Sequence, residues 1–225
     1  MNTVEQNYHD LLREIQTACD EAKRSRREVI LVAVSKGHEF SEIKKVYDCG
    51  QRDFGESYAQ ELGQKIARAK SSGLHDIRWH FIGAIQSNKI NIIKDAQVVQ
   101  SISSVRHAKL LDGAAQQTIE IFLQVKLDDN PKRQGVGKEA LISTISQIQS
   151  LPMLNLQGLM TVLPLDQNSP SFWFSQMANL RSEILRQGLM RRVMLSMGMS
   201  DDFFEAIAHG ANFIRIGTRI FGPRR

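Results

Sequence analysis

Cysteine is scarce. Cys19 and Cys49 are the only two in 225 residues, no C-x-x-C occurs, and no histidine cluster accompanies them. That excludes a disulfide scaffold and a Cys-rich zinc module, leaves no metal ligands to assign, and suits a reducing cytoplasm. Long apolar runs are missing too: nothing approaches the roughly 18 consecutive apolar residues of a membrane span. The N-terminus, MNTVEQNYHDLLREIQ, has no basic segment followed by an apolar one, so no secretory signal is expected and the expected compartment is the cytoplasm. Neither charge sign dominates, since 29 Lys and Arg against 24 Asp and Glu leave only +5. The densest basic patches, Lys23–Arg27 and Pro223-Arg224-Arg225, lack the interleaved aromatics of a single-strand nucleic-acid groove. They read better as solvated helix-end charges, although a basic surface still draws in anionic small ligands.

What is present is ordinary globular composition, 42 % apolar and 24 % charged, which argues against disorder. Residues 3–24 carry apolar side chains at helical spacing. Val29-Ile30-Leu31-Val32-Ala33-Val34 follows, a β-branched run of the kind that forms a parallel strand buried on both faces. The beat then repeats. Strand-like segments lie near 53–54, 78–82, 97–102, 119–126, 154–160, 192–196 and 212–216. Helical patterns near 41–49, 58–69, 89–93, 105–115, 138–149, 173–187 and 202–209 alternate with them. Eight such units in about 200 residues predict an α/β fold, a single (β/α)8 TIM barrel with an extra N-terminal helix. An open doubly wound sheet is the alternative, and the G-x-G-x-x-G that would favour it is absent. No linker or composition shift divides the chain, so residues 1–225 read as one domain, with Leu127–Gly137 and Val162–Pro170 as its long loops.

Function in a barrel gathers where strands end. Lys36 closes the first strand, at the mouth of a low-dielectric lumen. Desolvation there frees an amine as a nucleophile toward a carbonyl, while the bland alternative is a lysine snorkelling to water. Gly198 and Ser200 after strand seven, and Gly217-Thr218 after strand eight, offer turn glycines, hydroxyls and backbone N–H groups for a phosphate. Ser200 is also placed to cap the next helix. Plain capping stands about even with the phosphate reading, because Asp201 and Asp202 already face that helix start. Arg215 inside a strand needs either an acidic neighbour or a ligand. His80 is a ligand contact or a satisfied core histidine, and Met160 and Met199 are packing residues that can also line a ring. An imine-forming lysine, a phosphate cup and an arginine together fit a phosphorylated aldehyde such as pyridoxal phosphate (PLP). A Schiff-base aldolase would use the same pairing.

Five segments carry a resemblance that runs nearly end to end. They are Ala33-Val34-Ser35-Lys36, Gly50–Glu56, Trp79–Lys89, Leu195–Asp202 and Arg215–Gly222. In this order and spacing the chain resembles the pyridoxal-phosphate homeostasis family, also called proline synthetase co-transcribed proteins. The resemblance implies a barrel similar to the N-terminal domain of bacterial alanine racemase, that is, the fold-type III PLP class. It implies PLP held covalently as an aldimine on Lys36. Phosphate contacts would come from Ser200, Gly217, Thr218 and Ser196, Arg215 would face the ring nitrogen, and Ser57, His80 and Met160 would line the pocket. Three departures stand out: Ser57 replaces the usual asparagine, Gly37-His38 replaces a polar pair that often includes a second lysine, and the 130–135 loop is one residue longer.

A two-base racemase needs a second acid or base opposite the imine lysine. In alanine racemase a tyrosine from an additional domain of the partner subunit fills that role, and no such domain is expected here after Arg225. The expectation is therefore a cytoplasmic, monomeric PLP carrier without catalytic residues, supplying or buffering PLP for apo-enzymes, with no membrane or nucleic-acid partner. The alternatives are a weak amino-acid racemase or other PLP enzyme, and a nucleic-acid or protein adaptor.

Overall fold

The computed structural model describes residues 3–164 and 168–223. Part of the expected 162–170 loop and the Arg224-Arg225 end of one basic patch lie outside the described residues. Eight parallel strands close into a barrel in chain order: β1 Ile30–Val34, β2 Asp53–Glu56, β3 Arg78–Phe81, β4 Val98–Ile102, β5 Ile119–Gln124, β6 Leu154–Met160, β7 Met194–Ser196 and β8 Phe213–Ile216. β8 returns to β1, with Leu31 opposite Ile214 and Ala33 opposite Ile216, so no sheet edge is left open.

The helices are α1 Val4–Glu21, α2 Phe40–Asp48, α3 Ala59–Ser71, α4 Ile90–Ile93, α5 Val105–Ala114, α6 Lys138–Ile148, α7 Pro170–Arg186, α8 Phe203–Ala208 and α9 Thr218–Phe221. Every expected unit is present, and α1 is the extra helix in front, packed on α8 and α9. Thr3 caps α1, Ser104 caps α5 and Ser169 caps α7, each through its hydroxyl. The short helix α9 was not expected from the sequence. The basic patch after α1 is partly structural, because Arg24 Nη1 donates to the carbonyls of Ile207 and Ala211 at 2.9 and 2.7 Å.

Side chains alternate between lumen and outer face along each strand. The outward set packs against the helices in one large core that includes Ala33, Phe54, Trp79, Ile121, Leu159 and Ile214. The inward set forms a second, smaller core of Val32, Val98, Phe122, Met160, Met194 and Phe213. Phe122 and Phe213 meet edge to face there, with ring centroids 5.2 Å apart. At the base of the lumen, Arg78 bridges Asp53 at 3.2 Å and also pairs with Glu120. The lumen is therefore plugged below and in the middle, and only its C-terminal mouth is left to receive a ligand.

Gly158 shows how tight the closure is. A Cβ there would lie 1.9 Å from the carbonyl oxygen of Met194 on the neighbouring strand, and backbone cannot yield as a flexible side chain can. Gly158→Ala should destabilise the fold by about 2 kcal/mol or more, a fall in Tm of about 5 °C at this chain length. Gly113, in α5 with nothing within 4 Å of its Cβ position, is the control: Gly113→Ala should leave Tm unchanged or raise it slightly. Thermal melts followed by far-UV circular dichroism test the pair.

Candidate functional site

Alternation decides what reaches the mouth. Val34 is the last inward residue of β1, so the next inward position is Lys36. By the same rule Arg215 points inward from β8, beyond Phe213. Lys36, Ser57, Ser200, Arg215, Gly217 and Thr218 line one cavity of about 250 Å³ together with Val34, His38, Ile82, Val162, Met199 and Gly222. Six of the nine residues expected at the site thus share one wall. A larger groove of about 910 Å³ runs along α2 and α3 outside the barrel, and another of about 330 Å³ lies near Trp79 and Gln97. Arg215 does not border either.

Arg215 is only 5 % exposed. Nη1 donates to Ser196 Oγ at 2.6 Å and Nη2 to the Thr161 carbonyl at 2.7 Å. Both acceptors are neutral, and among the described residues no carboxylate forms an ion pair with this guanidinium. Burial lowers its pKa to about 10, with the more distant charge of Asp202 acting in the opposite sense. Asp202 itself turns away, because Oδ1 accepts from the Met199 N–H at 2.6 Å. The sequence alternative of an acidic neighbour on an adjacent strand is thus not realised, and the cation faces a cavity.

The turns around it are steric necessities. Gly198 has φ +93°, and a Cβ there would meet Ala206 Cβ at 2.5 Å. At Gly217 a Cβ would lie 2.8 Å from the Val34 carbonyl, so only glycine lets this segment pass the end of β1. The expected Ser200 cap does not form. α8 starts at Phe203, after Asp202, with no side-chain cap bond, so Ser200 stands three residues too early to reach it.

Three expected site residues lie below the cavity rather than on its wall. His80 is fully buried on β3, with Nε2 2.7 Å from Asp53 Oδ1 and Nδ1 2.9 Å from Gln100 Nε2. It is the satisfied core histidine, and burial pushes its pKa down despite Asp53. Met160 belongs to the lumen core and borders a neighbouring depression. Ser196 is buried beneath Arg215, which it holds instead of reaching the cavity.

A buried charge cluster that the sequence reading missed lies on the outer side of β1 and β2. Lys65 Nζ on α3 donates to the Ser35 carbonyl at 2.7 Å, to Glu56 Oε1 at 2.7 Å and to Glu61 Oε1 at 2.6 Å. Ser35 Oγ donates to Glu56 Oε1 at 2.6 Å, and the Gly37 N–H donates to Glu61 Oε1 at 2.7 Å. Both neighbours of Lys36 are therefore tied to one cluster. Burial pushes the Glu56 carboxyl up, against the lowering effect of Lys65 and Ser35, and its Oε2 has no partner. On the other flank, His38 sits beside Glu42 at 3.2 Å and stacks on Phe221 with centroids 5.1 Å apart.

Residues 8–225 match the family model described as the alanine racemase N-terminal domain. A pyridoxal phosphate homeostasis protein of Haemophilus influenzae is 35 % identical over 98 % of this chain and 96 % of its own length. The solved structure of PipY from Synechococcus elongatus with PLP bound is 32 % identical, covers 94 % of this chain and 100 % of its own, and superimposes with a TM-score of 0.81. Alanine racemase from Corynebacterium glutamicum, 15 % identical with a TM-score of 0.68, covers 96 % of this chain and 61 % of its own and shares the fold.

Removing Lys65 strands the buried Glu56 charge. Lys65→Met should cost about 3 kcal/mol, and adding Glu56→Gln should recover a substantial part of it. Urea unfolding of wild type, both single variants and the double variant measures the coupling, and strictly additive effects would refute it.

Proposed function

The chain belongs to the pyridoxal phosphate homeostasis protein family, and from that premise we propose that its mouth cavity binds PLP and that the protein serves as a PLP carrier. The observation that carries the reading is Arg215: a buried guanidinium, held among the described residues by neutral acceptors, on the wall of a cavity that also contains a lysine amine. The donor set fits the group. Lys36 offers the amine for a Schiff base with the aldehyde. Ser200 and Thr218 offer hydroxyls, and Gly217-Thr218 offers backbone N–H groups, to the phosphate. Ser57 lines the same cavity. Bound PLP supplies a reactive aldehyde on an electron-withdrawing ring.

Arg215 would face the ring nitrogen. A fixed cation at that place disfavours a proton on the nitrogen, which weakens the ring as an electron sink. The rest of the wall supports holding over turnover. None of the three tyrosines lines the cavity. Tyr8 donates to Gln51 Oε1 at 3.1 Å beneath α1, Tyr47 bonds Asp76, and Tyr58 is 57 % exposed before α3. Among the described lining residues the acid–base group besides Lys36 is His38, and its ring is held beside Glu42 and stacked on Phe221. The carrier would act as a single-domain monomer in the cytoplasm, giving PLP to apo-enzymes and buffering the free aldehyde. Among the described residues no helix is long and apolar enough to cross a membrane.

Purified protein loaded with PLP should show a visible absorbance band that borohydride bleaches, with a pyridoxyl group on the Lys36 peptide by mass mapping. Lys36→Ala should lose the band. Amino acids incubated with the loaded protein in deuterated water should keep their α-hydrogens. A reduced adduct confined to other lysines would overturn the assignment of Lys36, and Lys36-dependent α-exchange would make the protein an enzyme.

A further inference from the structure

The buried guanidinium is the top of a hydrogen-bond chain that crosses the lumen. Arg215 Nη1 donates to Ser196 Oγ at 2.6 Å. Ser196 Oγ lies 2.6 Å from Gln100 Oε1, Gln100 Nε2 lies 2.9 Å from His80 Nδ1, and His80 Nε2 lies 2.7 Å from Asp53 Oδ1. Ser196, Gln100 and His80 are all 0 % exposed. The chain draws on β8, β7, β4, β3 and β2.

Its polarity follows from valence. A guanidinium only donates, so the Ser196 oxygen accepts and its one proton goes to Gln100 Oε1. The Gln100 amide group then donates to His80 Nδ1. That leaves the single proton of a neutral imidazole on Nε2, facing Asp53. Every donor points from the cation at the mouth toward the carboxylate at the base. Hydrogen bonds aligned this way polarise one another, so a distant carboxylate compensates a buried charge without touching it.

We propose that Gln100 and His80 are positioning residues for the PLP site: through Ser196 they fix the orientation of the Arg215 guanidinium and so the electrostatic field at the ring. This rests on the PLP reading above. The family resemblance does not assign Gln100, and the cavity wall does not include it. A glutamine that merely filled the core would leave the bound chromophore unaffected.

The test combines a measurement without PLP and one with it. In the wild-type protein, ¹⁵N-histidine NMR should show His80 as a neutral imidazole protonated on Nε2. Gln100→Leu removes both ends of the link and should weaken PLP binding about tenfold and move the visible band. Gln100→Glu keeps an acceptor for Ser196 but cannot donate to His80. It should recover affinity to within about threefold of wild type while placing a proton on His80 Nδ1. A wild-type His80 protonated on Nδ1 alone overturns the chain. So does a folded Gln100→Leu protein that matches wild type in band and affinity. Should Gln100→Leu not fold, the wild-type tautomer and the Gln100→Glu response decide by themselves. A wild type that takes up no PLP overturns the cofactor reading and this proposal together, and differs visibly from failure of the chain alone, in which wild type binds and the variants match it.

Discussion

Arg215 carries its charge on the inner face of a closed barrel, and much of the lumen is arranged around that fact. A guanidinium taken out of water without a carboxylate beside it is costly. Three arrangements offset the cost. Ser196 and the Thr161 carbonyl take two of its donors, the aligned chain through Gln100 and His80 leads the charge toward Asp53, and the mouth leaves one side open to a ligand. Charge at the base follows the same logic. Asp53 receives both the end of that chain and Arg78, and Arg78 is shared with Glu120. The apolar ring of Val32, Val98, Phe122 and Phe213 surrounds this thread and keeps water from it, which strengthens each bond it contains.

On the outer side a second buried charge does a different job. Lys65 and Glu56 lie between β2 and α3, and their partners include the backbone on both sides of Lys36. A long, flexible side chain keeps its reach only if its backbone is held, and Ser35 and Gly37 are held by charge-assisted bonds. The price is a carboxyl whose second oxygen is left without a partner. Two buried ionic devices, one in the lumen and one behind the sheet, thus converge on the two cationic residues of a single cavity.

The barrel was legible because its signals are local. β-branched runs such as Val29–Val34 and Ile119–Gln124 alternate with amphipathic stretches, and most of the turns between them are short, the loops before α6 and α7 being the long ones. Lys36, Ser200, Arg215, Gly217 and Thr218 were legible because they stand at strand ends, where barrels place their chemistry. Depth inside the lumen was not. His80, Met160 and Ser196 face inward as expected, but how far below the rim each lies depends on register and stagger, which emerge only when β8 meets β1. Gln100 and Lys65 did leave a trace: an amide within the fully buried strand 98–102, and a lysine beside Leu62 and Ile66 on the buried face of α3. Read singly, each looks like noise, because its partners are distant in sequence: Ser196 is 96 residues from Gln100, and Ser35 is 30 from Lys65.

Binding and stability are joined in such a site. An anionic ligand that enters beside Arg215 supplies compensation that the polypeptide provides only at a distance. Whatever it gains there is gained by the folded state alone, because no cavity exists in the unfolded chain. A carrier benefits from this arrangement in both directions. On the carrier reading proposed above, the loaded form would be the more stable one and would keep a reactive aldehyde out of solution. Ser196, Gln100 and His80 support the guanidinium from below, and the Lys65 cluster ties the Lys36 backbone from the side. A wall preformed in this way would lose little conformational entropy on loading.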